Sequence, residues 1–335
     1  MKARPFALSP LFISLFLLFS SCSQTKYYFE DRGIIFNTNY TIKYESSDVL
    51  TDKIKKELQV FDLSLNVFNP NAIVSKVNRN EDVELDDFFI TVFNKSQEVS
   101  EKSGGAFDAT VSPLINLWGF GFEKYDSISQ DVIDSLRAFT GYKKIRIRDG
   151  KVIKDDPRMT LNFSAIAKGY ACDVIAALLE REGVRNYLVD IGREQTVKGK
   201  NRKGQCWRIG INKPEDDATG MIETIEKVIP VCNKKGMATS GNYRNFYIKD
   251  GKKYGHTIDP RTGYPTEQNI LSATIIAPDC MTADAYATAF MVLGVEAACR
   301  MAESIPEIEY FLYYSDNPTL PMQEKYSKGM KALLK

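Results

Sequence analysis

Residues 103–121 read Ser-Gly-Gly-Ala-Phe-Asp-Ala-Thr-Val-Ser-Pro-Leu-Ile-Asn-Leu-Trp-Gly-Phe-Gly. Four glycines, three aromatic rings, one carboxylate and one proline fall within these 19 residues. A helix interior loses about 1 kcal/mol for each glycine relative to alanine. A proline inside a sheet is confined to an edge. The stretch is therefore expected to be a shaped loop, in which glycines let a ligand approach backbone N–H groups and aromatics offer flat faces.

Outward from this loop the chain alternates between two periodicities. Residues 52–65, 86–102, 129–139, 165–182, 282–293 and 295–304 have helical apolar spacing. Asp86 or Asp87 is placed to cap the second of these helices, Gly104 follows its end, and Gly141 closes the third. Strands are expected over residues 39–44, 144–148, 159–163, 186–191, 207–211, 272–277 and 309–314. Residues 242–249 and 253–258 flank Asp250-Gly251, a hairpin turn signal. Helices and strands interleave without a βαβ rhythm. The fold class that follows is α+β with mixed or antiparallel sheets, not a doubly wound parallel sheet.

The 44 basic and 43 acidic side chains nearly cancel, which gives no electrostatic reason to expect nucleic acid. With 335 residues and 44% hydrophobic content there is ample material for a core. Lys2 and Arg4 precede an apolar run over residues 11–19, and Ser20 and Ser21 precede Cys22. That run is too short for a stable transmembrane helix. It looks like a bacterial lipoprotein signal over residues 1–21, with Cys22 lipidated and anchored to a membrane on the periplasmic side; an ordinary secretory peptide cut nearby is the other reading. Both export the protein. Residues 22–33 are expected to be a tether and residues 34–335 the folded domain. Cys172, Cys206, Cys232, Cys280 and Cys299 are odd in number and widely spaced, so buried thiols are expected, without a disulfide framework or zinc site.

Four constellations carry possible chemistry. Asp284 and Thr288 stand four apart on a predicted helix, so their oxygens project from one face. Hard oxygen donors suit Mg²⁺ or Ca²⁺; a helix cap and a backbone bond are the structural alternative. Residues 161–171 run from a strand into a helix through small residues, where backbone N–H groups can face an anion. Lys168 there either reaches a phosphate or ribose or extends into solvent from a tightly packed strand–helix corner. His256, the single histidine, ends a strand at a Pro/Gly turn and serves either as a general base or as a structural bond to that turn. Asp259 is expected to cap the turn. Residues 237–243 either touch a ligand through Thr239 and Ser240 or form only a turn into the following strand, and the turn is the expectation for any single side chain there.

These segments, in this order, resemble the ApbE family, the FAD:protein FMN transferases. Residues 103–121 are similar to its G-A-F-D-x-T-V-x-P-L-x-x-L-W-G-F-G block, and residues 162–169 to D-x-x-A-I-A-K-G. Residues 238–243, 256–263 and 281–288 resemble A-T-S-G-x-Y, H-x-I-D-P-x-T-G and A-D-A-x-A-T-A, and residues 71–78 a further Ser/Asn segment. The resemblance implies two interlocked subdomains with FAD in the cleft between them and Mg²⁺ on its diphosphate. It implies Asp284, Thr288 and the Ala165 carbonyl as metal ligands. Phe36, Phe68, Ala106, Phe107, Asp108, Asn162, Lys168 and Ile258 would contact FAD, and His256 would be catalytic. The implied reaction moves FMN from FAD to a Thr or Ser hydroxyl of an acceptor flavoprotein and releases AMP. An FAD pyrophosphatase and a non-catalytic FAD carrier stand as alternatives. Three positions depart from the pattern: Asn162 replaces Asp, Arg193 replaces the second glycine of a Gly-Gly pair, and Asn37 replaces Gly. If the Arg193 position needs positive φ, arginine is expected to distort its loop.

Overall fold

The computed structural model describes residues 25–121, 128–215, 224–243, 246–249, 252–317 and 321–334. The leader, Cys22 and the Asp250-Gly251 turn lie outside them. Strands β1 (Tyr27–Ile35) and β2 (Thr38–Ser46) come first. Helices α1 (Thr51–Leu65), α2 (Ile73–Asn78), α3 (Asp87–Lys102), α4 (Ser112–Leu117) and α5 (Gln130–Ala138) follow. Strands β3 (Ile145–Arg148) and β4 (Lys151–Lys154) lead to α6 (Ala167–Arg181). Next come β5 (Tyr187–Ile191), β6 (Glu194–Lys198), β7 (Trp207–Asn212) and β8 (Ile225–Val231). After β9 (Lys235–Gly241), β10 (Phe246–Lys249), β11 (Lys252–Gly255) and β12 (Ile270–Ala277) the chain enters α7 (Cys280–Glu303). The last elements are β13 (Glu309–Tyr314), β14 (Gln323–Tyr326) and α8 (Lys328–Leu333).

Eight strands form one sheet in the order β1-β2-β5-β6-β9-β12-β13-β14, antiparallel at every pairing. The α+β expectation holds. Strand geometry sends alternate side chains to opposite faces, and both faces of the central strands are buried. Ala273 and Ile275 of β12 join the large core beneath the helices, whereas Ile276 joins a second core with Trp207, Ile209 and Met330. The helical side holds α6 and α7 against the sheet and α1 against α6. The β7–β8 hairpin and α8 cover the other side. Among the described residues α7 is the one helix long and apolar enough to cross a membrane, and most of it is buried as a core helix.

Local signals account for several boundaries. Asp86 accepts the Phe89 N–H at 2.8 Å and caps α3. Phe89, Val92, Phe93 and Val99 then fall on one buried face. Gly294, at φ 75°, interrupts α7 between its two expected halves.

Five expectations are corrected. The tether over 22–33 is in large part β1, nine residues paired along their whole length with β2. The loop over 103–121 contains α4, because Pro113 stands at the helix start where its missing N–H costs nothing. Residues 159–163 form no strand. Residues 237–241 belong to β9, a central strand, not to a turn. Cys206 and Cys232 form a disulfide, since β7 and β8 pair and bring the two ends of their hairpin together. Cys172 and Cys280 remain buried thiols.

Candidate active site

The residues that resemble a flavin site come together in one cleft of about 740 Å³. Its walls are the loop after α3, the N-terminal ends of α6 and α7, the β5–β6 turn, the end of β9 and the segment after β11. Ala106, Phe107, Asp108, Asn162, Ala165, Lys168, His256, Ile258, Asp284 and Thr288 all line it. Phe36 and Phe68 do not. Phe36 packs edge-on against Phe61 at 5.7 Å, and Phe68 is 52% exposed.

The close approach of α6 to α7 builds the floor. A Cβ on Gly169 would fall 2.3 Å from the Cys280 carbonyl oxygen and 2.8 Å from Asp284 Cβ, so only glycine fits there. The Gly169 N–H donates to Asp284 Oδ2 at 3.0 Å. The other Asp284 oxygen has no protein hydrogen bond among the described residues. Thr288 lies one turn further along α7, with its hydroxyl 3.4 Å from that of Ser240. The cap of α7 is Asp279, which accepts the Thr282 N–H at 2.7 Å, so Asp284 is free of the capping role. Asp173 on α6 supplies a second cap: it accepts the Cys280 and Met281 N–H groups at 3.0 and 2.8 Å and the Thr196 hydroxyl at 2.7 Å.

Lys168 does not extend freely into solvent. Its ammonium lies 3.0 Å from Glu194 Oε1, and Glu194 is 6% exposed. Burial alone would lower the Lys168 pKa, but the charges of Asp284 and Glu194 outweigh it and hold it above lysine's usual range. Burial pushes Glu194 up to about 8 against the pull of Lys168. It also raises Asp284, with Lys168 and the Gly169 N–H opposing. Among the described residues Glu194 Oε2 is buried without a hydrogen-bond partner. The cleft floor thus holds two carboxyl groups around one ammonium.

Asp108 has a structural task. Its Oδ1 accepts the Thr110 N–H and hydroxyl at 2.8 and 2.7 Å, and its Oδ2 accepts the Tyr142 N–H at 2.8 Å. These bonds hold the loop so that Ala106 and Phe107 face the cleft. Asn162 acts similarly: its Oδ1 accepts the Ser164 N–H at 2.9 Å. An amide oxygen performs this as a carboxylate would, so the departure at Asn162 keeps the turn.

His256 stands at the cleft beside a row of rings. Phe120 meets it edge-on at 6.3 Å, Phe120 stacks on Tyr247 at 5.3 Å, Tyr247 on Tyr254 at 5.3 Å, and Tyr254 on Trp118 at 5.7 Å. Trp118 Nε1 donates to the Gly263 carbonyl at 2.8 Å, joining the first loop to the turn after His256. Asp259 caps that turn as expected, accepting the Arg261 N–H at 2.9 Å.

The ApbE family pattern matches residues 36–312. This chain belongs to the ApbE family. It is 34% identical over 299 residues to an FAD:protein FMN transferase of Vibrio cholerae, covering 86% of this chain and 88% of that protein. It is 36% identical over 266 residues to an FAD:protein FMN transferase of Escherichia coli, covering 77% and 74%. The solved structure of the flavin transferase ApbE from Vibrio cholerae superposes with a TM-score of 0.82 at 32% identity, covering 92% of this chain and all of that one.

In this ApbE-family chain the remaining departures are accommodated by backbone conformation. Arg193 adopts φ 81°, and β5 and β6 stay in register up to Ile191 and Glu194, so the loop is not distorted. Asn37 takes φ 56°, a region asparagine tolerates. Sequence reading missed Glu194 as the partner of Lys168, Asp173 as the second cap of α7, and Thr38 and Asp190 as cleft residues. No local pattern marks them, because each acts across paired strands or packed helices.

Proposed function

We propose that this chain is an exported, Mg²⁺-dependent FAD:protein FMN transferase, anchored to a membrane through lipidated Cys22. The observation that carries the reading is a single cleft that joins Asp284 and Thr288 of α7, Lys168 of α6 and His256.

The donor set suits Mg²⁺. Among the described residues no three His, Cys, Asp or Glu gather as a closed metal site. Among the described residues one Asp284 oxygen accepts no hydrogen bond, and Thr288 and Ala165 add hydroxyl and carbonyl oxygens in the same cleft. Mg²⁺ takes few protein ligands and completes its shell from phosphate and water. When bound it supplies charge neutralisation on the diphosphate of FAD.

The protein's own groups do the rest. The N-terminal end of α6 directs backbone N–H groups and its dipole at an anion. Lys168 adds a fixed positive charge. His256 takes the proton of an acceptor Thr or Ser hydroxyl. The hydroxyl oxygen bonds to the FMN-side phosphorus, the bond from that phosphorus to the bridging oxygen breaks, and AMP leaves with the electron pair. FMN stays on the acceptor as a phosphoester, and the flavin undergoes no redox change.

Incubation with FAD, Mg²⁺ and a flavin acceptor domain should add one FMN to that domain by intact mass, with equimolar AMP. AMP with free FMN and no adduct identifies a pyrophosphatase. FAD bound without AMP release identifies a carrier. Export is supported by the Cys206–Cys232 disulfide, which belongs to an oxidising compartment. Anchoring predicts fatty-acid labelling of the full chain that is lost in Cys22→Ala; equal labelling of both would refute it.

A further inference from the structure

Among the described residues five non-glycines hold positive φ: Phe36, Asn37, Asn80, Asp149 and Arg193. Asparagine and aspartate visit this region readily, whereas other side chains there cost roughly 1–2 kcal/mol. That leaves Phe36 at φ 52° and Arg193 at φ 81°.

The two lie in neighbouring turns. Phe36-Asn37 closes the β1–β2 hairpin, and Gly192-Arg193 closes the β5–β6 hairpin. Strands β2 and β5 are paired, and the Gly192 N–H donates to the Asn39 carbonyl at 3.0 Å. A Cβ on Gly192 would come within 2.9 Å of Thr38 Cγ2, 3.1 Å of Lys168 Cδ and 3.2 Å of Glu194 Oε2. Both hairpins therefore reverse at one end of the sheet, against the ammonium and carboxylate of the cleft floor. Thr38, Asp190, Gly192, Arg193 and Glu194 all line the cleft there.

The Gly192-Arg193 turn is held in place. Asp190 Oδ1 accepts the Arg193 N–H at 3.2 Å. A two-residue turn with positive φ at both positions takes glycine at its second position without strain. Arginine carries that strain in every folded molecule. Persistent strain of this kind at a cleft points to a use for the side chain.

Charge supplies the use. Asp108, Asp190, Glu194 and Asp284 line the cleft, and Lys168 is paired with Glu194 at 3.0 Å. A dinucleotide brings negative charge on its diphosphate. A planar guanidinium matches phosphate oxygens in pairs.

We propose that Arg193 is a substrate-positioning residue, a cation set in a strained turn of the cleft wall to bind the diphosphate of FAD. The proposal rests on the reading of the cleft as an FAD site and adds to it a determinant particular to this chain.

The test is titration of FAD with Mg²⁺, and separately of riboflavin, into the wild type and into Arg193→Gly, Arg193→Asn and Arg193→Lys. Riboflavin has the flavin ring without phosphate. The Gly and Asn variants should bind FAD about ten-fold more weakly or worse, as expected for loss of a charge-assisted bond. Their riboflavin affinity should match the wild type and their thermal midpoints should be equal or higher. The Lys variant should recover part of the FAD affinity. Unchanged FAD affinity in Arg193→Gly overturns the proposal. So does an equal loss for FAD and riboflavin with a lowered midpoint, which would make Arg193 structural. Failure of the wild type to bind FAD overturns the FAD reading and this proposal together; wild-type binding with unaffected variants overturns the role of Arg193 alone.

Discussion

Asp284 Oδ2 accepts the Gly169 N–H at 3.0 Å and so ties the first turn of α6 to that of α7 across 115 residues of sequence. The contact exists only because residue 169 lacks a side chain. It sets the distance between Lys168, which precedes Gly169, and the carboxylate that faces it across the cleft.

Gly169→Ala tests that spacing. The added carbon would meet Cys280 O at 2.3 Å, a backbone atom that cannot swing aside. Overpacking of this kind costs about 1–3 kcal/mol. The thermal midpoint should fall, and FMN transfer should fall further than the stability loss explains, as the helices part at the cleft floor. Melting curves and transfer assays well below the midpoint separate the two effects. Unaltered transfer would show that the helix contact is not needed to position Asp284.

His256→Ala should slow FMN transfer by roughly 10²–10⁴-fold, the usual contribution of a positioned general base. FAD affinity should stay within a few-fold of the wild type, because the proposed mechanism has His256 act on the acceptor hydroxyl. Single-turnover adduct formation and FAD titration measure the two quantities. Loss of FAD affinity with an unchanged transfer rate would reassign His256 to binding.

Asp173 gives a pH dependence. Burial pushes its carboxyl from 3.8 up to about 7, with the Cys280 and Met281 N–H groups opposing and the charge of Asp279 adding. The folded state therefore holds a proton that the unfolded state releases near pH 4. Stability falls as pH rises through this window and levels off above the folded pKa. Each pKa unit corresponds to about 1.4 kcal/mol. Asp173→Asn removes the dependence, so the wild type should lose stability relative to the variant between pH 4 and pH 8. Parallel urea-unfolding curves at each pH would exclude the shift.

The Cys206–Cys232 bridge spans 26 residues and clasps the base of the β7–β8 hairpin. Gly210, Asn212 and Ile225 of that hairpin line the cleft. Reduction, or Cys206→Ser with Cys232→Ser, should lower stability by about 2–4 kcal/mol. Chemical denaturation with and without reductant measures the difference, and mass analysis after alkylation should find two thiols blocked before reduction and free after it.

Much of the molecule is written in local patterns. The Asp86 cap, the buried face of α3 and the strand over 309–314 are visible in the sequence because caps and periodicity act over a few residues. The ordered blocks around Phe107, Lys168, His256 and Asp284 mark the cleft residues because a ligand site demands those residue types wherever they lie. The sequence alone therefore determines the α+β class, the family and most of the cleft lining.

Only the tertiary structure decides which residues meet. β9 is central although its Thr, Ser and Gly residues read as a turn, since its pairing with β6 and β12 outweighs weak strand propensity. The disulfide, the Lys168–Glu194 ion pair and the Asp173 cap each join separate elements. Their partners are selected by burial and strand register, which no local window contains. The positive φ of Arg193 belongs to the same class, because the β5–β6 register, not the residue's own preference, imposes that backbone conformation.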